Sequence, residues 1–199
     1  MVSFRLHDAD SSVEWCTDQM VIEKLLPRDM EFRVHTLMTG IQFPWYWNAE
    51  NIIPETPDEN ISQLTHMFYQ DNKVPSAHWN SVSMIVGYFT QKTSIRVKKI
   101  IRVKGNLIAN IAHESESLDN LIHTDVPHGL KGNYVSFVYY VMDSDGDTVV
   151  YDDDKKTIVE TSPPIRGNCV WFNSKTWHRS TVPVNHKRRV VINFILEVE

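Results

Sequence analysis

The stretch SIRVKKIIRVKG, residues 94–105, is where the chain changes character. β-Branched residues recur through it and charged residues alternate with them, the pattern of a strand with one face against a core. The sequence beyond it keeps the theme. NYVSFVYYVM (133–142) is a strong β run, and DTVVYD (147–152), KTIVE (156–160), NCVWFN (168–173) and RRVVINFILEV (188–198) follow. Turn formers stand between them: DSDGD, DDDKK, SPPIRGN and PVNHK. Short strands closely spaced by turns predict an all-β sandwich or barrel, here a jelly-roll-like barrel of about eight strands.

Upstream the texture is different. Residues 1–92 mix possible helices with loops. SSVEWCTDQMVIEKLLP (11–27) and RDMEFRVHTLMTG (28–40) are helix candidates, the second stopped by Gly40. In WNSVSMIVGYFTQ (79–91), Trp79, Val82, Ile85, Val86 and Phe89 share one helical face, which predicts packing against a sheet. The expected organisation is one domain over 1–199, with 1–92 as a helical or mixed support and 93–199 as the β core.

Composition narrows the function classes. The 199 residues are 42% hydrophobic and 23% charged, as in an ordinary globular protein. A formal charge of −5 gives no global attraction to nucleic acid or an anionic membrane, so neither is an expected partner. Two cysteines, Cys16 and Cys169, form no CxxC pair, which leaves no redox or zinc-finger motif. The start lacks a signal-peptide pattern and no apolar run reaches membrane-spanning length, so a cytoplasmic location is expected. Oligomeric state is not legible.

NLIHTDVPHG (120–129) holds two histidines and an aspartate. If it is extended, His123 and Asp125 point to the same side, and one imidazole and one carboxylate can reach a single metal ion. His128, between Pro127 and Gly129, sits in a loop. An HxD tripeptide is common by chance, so a third ligand has to decide. His186 stands in a polar turn between Asn185 and Lys187. His178 follows the apolar strand CVWFN beside Trp177, and is the better ligand.

His123-x-Asp125, a distal His178 and, eleven residues later, Arg189 at the head of the last strand resemble the iron(II)- and 2-oxoglutarate-dependent dioxygenase superfamily. PPIRGNCVWFNSKTWHRSTVPV looks like that family's distal-histidine segment. FVYYVMDSDGDTVVYD looks like the Tyr-rich strand of its prolyl-hydroxylase-like branch. FPWYWN and THMFYQDN resemble oxygenases of this kind from phages and marine bacteria. The resemblance implies a mainly β protein with N-terminal helices, its core a double-stranded β-helix of the jelly-roll, cupin-like type. It implies Fe(II) on His123, Asp125 and His178, with 2-oxoglutarate and O2 as cosubstrates and ascorbate as a possible stimulant. It further implies hydroxylation of a small-molecule or peptide substrate, with release of succinate and CO2.

The residue types suit that chemistry. Two imidazoles and a carboxylate on one face of an octahedral ion leave three positions open. The cosubstrate's far carboxylate needs a forked, permanently charged donor, which is arginine. Arg188 and Arg189 point to opposite faces of the last strand. The face of Arg188, Val190, Ile192, Phe194 and Leu196 is the more apolar and reads as core, which favours Arg188 geometrically. The family's spacing and the polar Asn193 favour Arg189, which is the choice. Tyr140 matches, by resemblance, a tyrosine that assists this arginine, with core packing as the other account. Asn106, Asn110 and His113 lead into the HxD segment and could line the pocket or serve a turn.

Other signals carry less. The alternating acids of DSDGDTVVYDDD lack the Gly and Glu of a calcium loop. Arg96, Lys98, Arg102 and Lys104 form a basic ladder that reads as a solvated strand face. His7, His35, His66 and His78 read as structural. Two rival readings stay open: a zinc-type hydrolase using His123, Asp125 and His128, and a non-catalytic jelly-roll binding module.

Overall fold

The computed structural model describes residues 20–47, 63–110 and 122–199. In chain order these form β1 (Val21–Ile22), α1 (Arg28–Thr39), β2 (Tyr46–Trp47), β3 (Gln63–Gln70), α2 (Trp79–Val82), α3 (Met84–Thr93), β4 (Val97–Ala109), β5 (Asn133–Tyr140), β6 (Thr148–Tyr151), β7 (Ile158–Ser162), β8 (Cys169–Asn173), β9 (His178–Ser180) and β10 (Arg188–Val198). Among the described residues the strands make a seven-stranded sheet, β1-β8-β5-β10-β4-β3-β2, and a three-stranded sheet, β7-β6-β9. Every pairing is antiparallel. The two sheets face each other as the jelly roll expected from the sequence. Val150 of β6 packs on Val138 and Tyr140 of β5, on Val170 and Phe172 of β8 and on Val191 of β10.

β10 shows how the sequence divides the molecule. Val190, Ile192, Phe194 and Leu196 are fully buried and join the main core with Val34 and Met38 of α1 and Ile85 and Phe89 of α3. Phe89, Phe137 and Phe194 stack in line, with centroid separations of 4.2 Å in both pairs. The alternate face, Arg189, Val191 and Asn193, turns to the space between the sheets. A period-two sequence therefore builds an apolar floor on one side and a polar cavity on the other.

Three expectations need correction. Residues 11–19 of the first helix candidate lie outside the described residues, but its end is not helical. Val21–Ile22 instead pair with Cys169 and Val170 at the edge of β8. The first half also contributes an eight-residue strand, β3, where only helices and loops were expected. Its Thr65, His66 and Met67 face Asn106, Gly105 and Lys104 across the ladder, so tertiary pairing overrides a sequence with little alternation. The basic ladder, finally, is only half solvated. Arg96 and Lys98 are exposed, against Glu199 and Glu197. Arg102 and Lys104, past a register shift in the β4–β10 pairing, turn into the cavity.

The helices at 28–40 and 79–91 form as expected, the second broken at Ser83. No helix among the described residues is long and apolar enough to cross a membrane.

Candidate metal centre

The two halves of the HxD…H pattern meet through the backbone. His123 N–H donates to His178 O at 3.0 Å and His178 N–H returns the bond to His123 O at 2.9 Å. This isolated antiparallel bridge brings residues 55 apart in sequence side by side, their ring centroids 4.4 Å apart. Asp125 is tied two residues further on, its N–H donating to Ser174 O at 3.0 Å. The ligating atoms of His123, Asp125 and His178 all lie within 4.8 Å of one another. His128 does not join them; its ring packs on Trp177 at 5.0 Å. His186 is half-exposed and pairs with Asp145 at 3.1 Å.

Two of the three candidate ligands, His178 and Asp125, are held by further contacts. His178 Nδ1 lies 2.9 Å from Thr176 O, and a carbonyl only accepts, so the proton sits on Nδ1. Nε2 is thereby turned to the site, 3.6 Å from Asp125 Oδ2. Asp125 is buried and surrounded by donors. Ser136 Oγ–H donates to Oδ2 at 2.6 Å, and Arg102 Nη2 donates to Oδ1 at 3.0 Å. Asn193 Nδ2 donates to both carboxylate oxygens at 3.2 and 3.4 Å. Ser136 and Ser174 oxygens stand 2.8 Å apart, and since Ser136 has spent its proton on Asp125, Ser174 is the donor of that pair. Burial pushes the Asp125 carboxyl up, but His178, Arg102, His123 and Ser136 together push it further down, so it stays below its ordinary value.

The donor set fits a mid-transition-series divalent ion: two imidazoles, one carboxylate, no thiolate. Cys169 is buried elsewhere in the core, its thiol pushed up to about 12 by burial. A cluster of outer contacts on a ligating carboxylate is characteristic of a metal centre. Ser136→Ala should weaken metal binding by about 10- to 100-fold, read by competition with a coloured chelator, with little effect on thermal stability.

A cavity of about 260 Å³ opens on the three ligands, lined also by Arg102, Lys104, Asn106, Thr148, Arg189 and Asn193. Arg189 is fully buried at its inner wall. Its Nε donates to Gly146 O at 2.6 Å and its Nη2 to Thr148 Oγ1 at 2.8 Å. Gly146 is required by that approach, since an added Cβ would stand 2.7 Å from Thr181 O and 3.0 Å from Arg189 Cδ. Burial pulls the guanidinium below its ordinary value while Tyr140 and Asp147 act against it. Arg188, on the opposite face, reaches Thr39 O of α1 at 3.5 Å. Tyr140 packs its ring 6.0 Å from the Arg189 guanidinium and donates its hydroxyl to Ser162 O at 3.1 Å. Asn106 lines the cavity with its Oδ1 unpartnered, Asn110 instead donates to Val184 O at 2.7 Å, and His113 lies outside the described residues.

Arg102, Lys104 and Ser136 are the site residues whose place sequence reasoning missed. Burial, then the nearby Arg102, push the Lys104 ammonium down to about 8 against the pull of Asp125. The alternation of the basic ladder was visible; the side it faced was not.

A jelly roll with two imidazoles and a carboxylate converging inside it defines the class of mononuclear non-haem metal proteins. Residues 111–197 match the family model of the 2OG-Fe(II) oxygenase superfamily, oxidoreductases that use Fe(II), 2-oxoglutarate and O2, so the β half of this chain is similar to that superfamily. No match is found among curated proteins. Solved structures share the fold at low identity. A 2OG-Fe(II) oxygenase family oxidoreductase from Burkholderia pseudomallei gives a TM-score of 0.65 at 11% identity, covering 89% of this chain and 85% of that one. A Trichoplax adhaerens prolyl hydroxylase, in complex with a hypoxia inducible factor oxygen degradation domain peptide fragment, gives 0.61 at 13%, covering 89% and 82%. A Pseudomonas putida prolyl-4-hydroxylase gives 0.56 at 11%, covering 90% and 91%.

Proposed function

We propose that this chain is a hydroxylase that holds iron(II) on His123, Asp125 and His178 and receives the distal carboxylate of 2-oxoglutarate on Arg189. The observation that carries the reading is the placement of a buried, forked cation in the same cavity as the three ligands. Bound iron(II), with 2-oxoglutarate and O2, supplies the oxidising power to hydroxylate a C–H bond, one oxygen atom going to the substrate and the other to succinate as CO2 leaves.

The chain's own residues position and shield. Thr176 fixes the His178 ring orientation, and Ser136, Arg102 and Asn193 fix the Asp125 carboxylate. Gly146 and Thr148 aim the Arg189 fork, with the Tyr140 ring against it. That reaction needs no general base or nucleophile from the chain. The zinc-hydrolase reading loses its third ligand, because His128 is turned onto Trp177. The substrate is a small molecule or a peptide. Aerobic incubation with iron(II), 2-oxoglutarate and a library of metabolites and proline-containing peptides should give succinate above the substrate-free level for at least one member, in stoichiometry with a product heavier by one oxygen atom. Succinate formation that no substrate ever stimulates would count against the hydroxylase.

A further inference from the structure

Lys104 is the charged residue of the cavity that the proposed chemistry does not use. It lies beside Asn193 in the β4–β10 register, two residues from Arg102 and two from Asn106 on the same face. Its Nζ makes no hydrogen bond or ion pair with any described residue. Asp125 does not need it, having Arg102, Ser136 and Asn193 as donors. Arg189 is set apart at the inner wall, with Gly146 and Thr148.

The charge balance points the same way. Among the described lining residues, three cationic side chains, Arg102, Lys104 and Arg189, face one carboxylate, Asp125. A divalent metal and a dianionic cosubstrate cancel each other, so their binding leaves this positive excess standing. Lys104 is partly buried in this cavity, and an ammonium that loses part of its water there gains from an anionic partner. Even pushed down to about 8, it is mostly charged at neutral pH. Arg102 adds a second unused donor, its buried Nε having no partner, and the Asn106 carboxamide oxygen beside them is likewise unpartnered.

We propose that Lys104, backed by Arg102 and Asn106, seats a carboxylate carried by the primary substrate, so that the enzyme acts on an acid rather than a neutral or cationic molecule. The inference rests on the oxygenase reading above and adds the substrate class to it. A carboxylate reaches such a seat either on a small free acid or on an acidic residue of a peptide, and both present the same two oxygens to the ammonium.

The test uses the full chain loaded with manganese(II) and N-oxalylglycine, a 2-oxoglutarate mimic that does not turn over. Calorimetric titrations compare N-acetyl amino acids with their carboxamides, and the capped peptide Ac-Gly-Asp-Gly-NH2 with its Asn counterpart. Acids should bind about tenfold or more tightly than the matched amides in at least one arm, and the arm that responds identifies the source. Lys104→Met should erase the preference and Lys104→Arg should keep it, with N-oxalylglycine affinity within about twofold of the parent in both. The proposal is overturned if no acid binds better than its amide, or if Lys104→Met weakens N-oxalylglycine about tenfold, which would make the lysine a cosubstrate ligand. A parent protein that binds neither manganese nor N-oxalylglycine would instead defeat the oxygenase reading beneath it.

Discussion

His178→Ala should leave a folded protein that no longer holds iron(II), with metal affinity down by at least about 100-fold. The backbone bridge between residues 123 and 178 uses N–H and C=O groups, which alanine keeps, so the two segments stay paired. The lost imidazole leaves a cavity beside Phe172 and the His123 ring, a cost of roughly 2–3 kcal/mol by analogy with other large-to-small core changes. What disappears is the ligand set: Asp125 and His123 alone cannot hold one face of an octahedral ion against water. Anaerobic titration with iron(II) and 2-oxoglutarate is the measurement. The parent should develop the weak visible metal-to-ligand band of a coordinated 2-oxo acid, and the variant should not. His128→Ala should retain the band, because that ring rests on Trp177 outside the ligand group. A variant without His178 that still shows the band would mean that the metal is held elsewhere.

The parts of this site that were legible in the sequence are the ones governed by short-range rules. Alternation along RRVVINFILEV placed Arg189 and Asn193 on one face and the Val190-to-Leu196 set on the other, and the structure keeps that division. The helix at 28–40 and the apolar stripe of 79–91 follow from periodicity in the same way. The convergence of His178 on His123 was different. Nothing local links residues 55 apart: the apolar strand CVWFN before His178 favoured it over His186, and the family resemblance completed the pairing. Where no pattern or resemblance helped, the reading failed. β3 has polar and aromatic residues with little alternation, and becomes a strand because β4 offers it an edge. Lys104 and Arg102 share parity with the exposed Arg96 and Lys98, so strand periodicity assigned all four to solvent. The register shift on β4 and the turn of the sheet over the cavity separate them, and both are tertiary effects that a single strand's sequence does not encode.

Arg189→Met should separate stability from cosubstrate binding, moving them in different directions. The guanidinium is fully buried, and its contacts among the described residues are to neutral acceptors, Gly146 O and Thr148 Oγ1, with the Tyr140 ring beside it. A charge so placed is poorly compensated, and burial already pulls its pKa down. Replacing it with an unbranched apolar side chain of comparable length removes a desolvation penalty, so the thermal midpoint without cosubstrate should hold or rise. For 2-oxoglutarate the same change removes the one forked donor at the inner wall and leaves a carboxylate to be buried unpaired. That should cost ~2–4 kcal/mol of binding, about 30- to 1000-fold in affinity. Thermal shift with and without 2-oxoglutarate reads both effects in one experiment. The parent should gain stability on adding cosubstrate, through preferential binding to the folded state, and the variant should gain little. Arg188→Met supplies the contrast: its side chain reaches Thr39 O on the far face of the sheet, so the cosubstrate-induced shift should survive. If Arg189→Met instead lowers the cosubstrate-free midpoint and keeps the shift, the buried arginine is a strut of the barrel, and the distal carboxylate must find its partner elsewhere in the cavity.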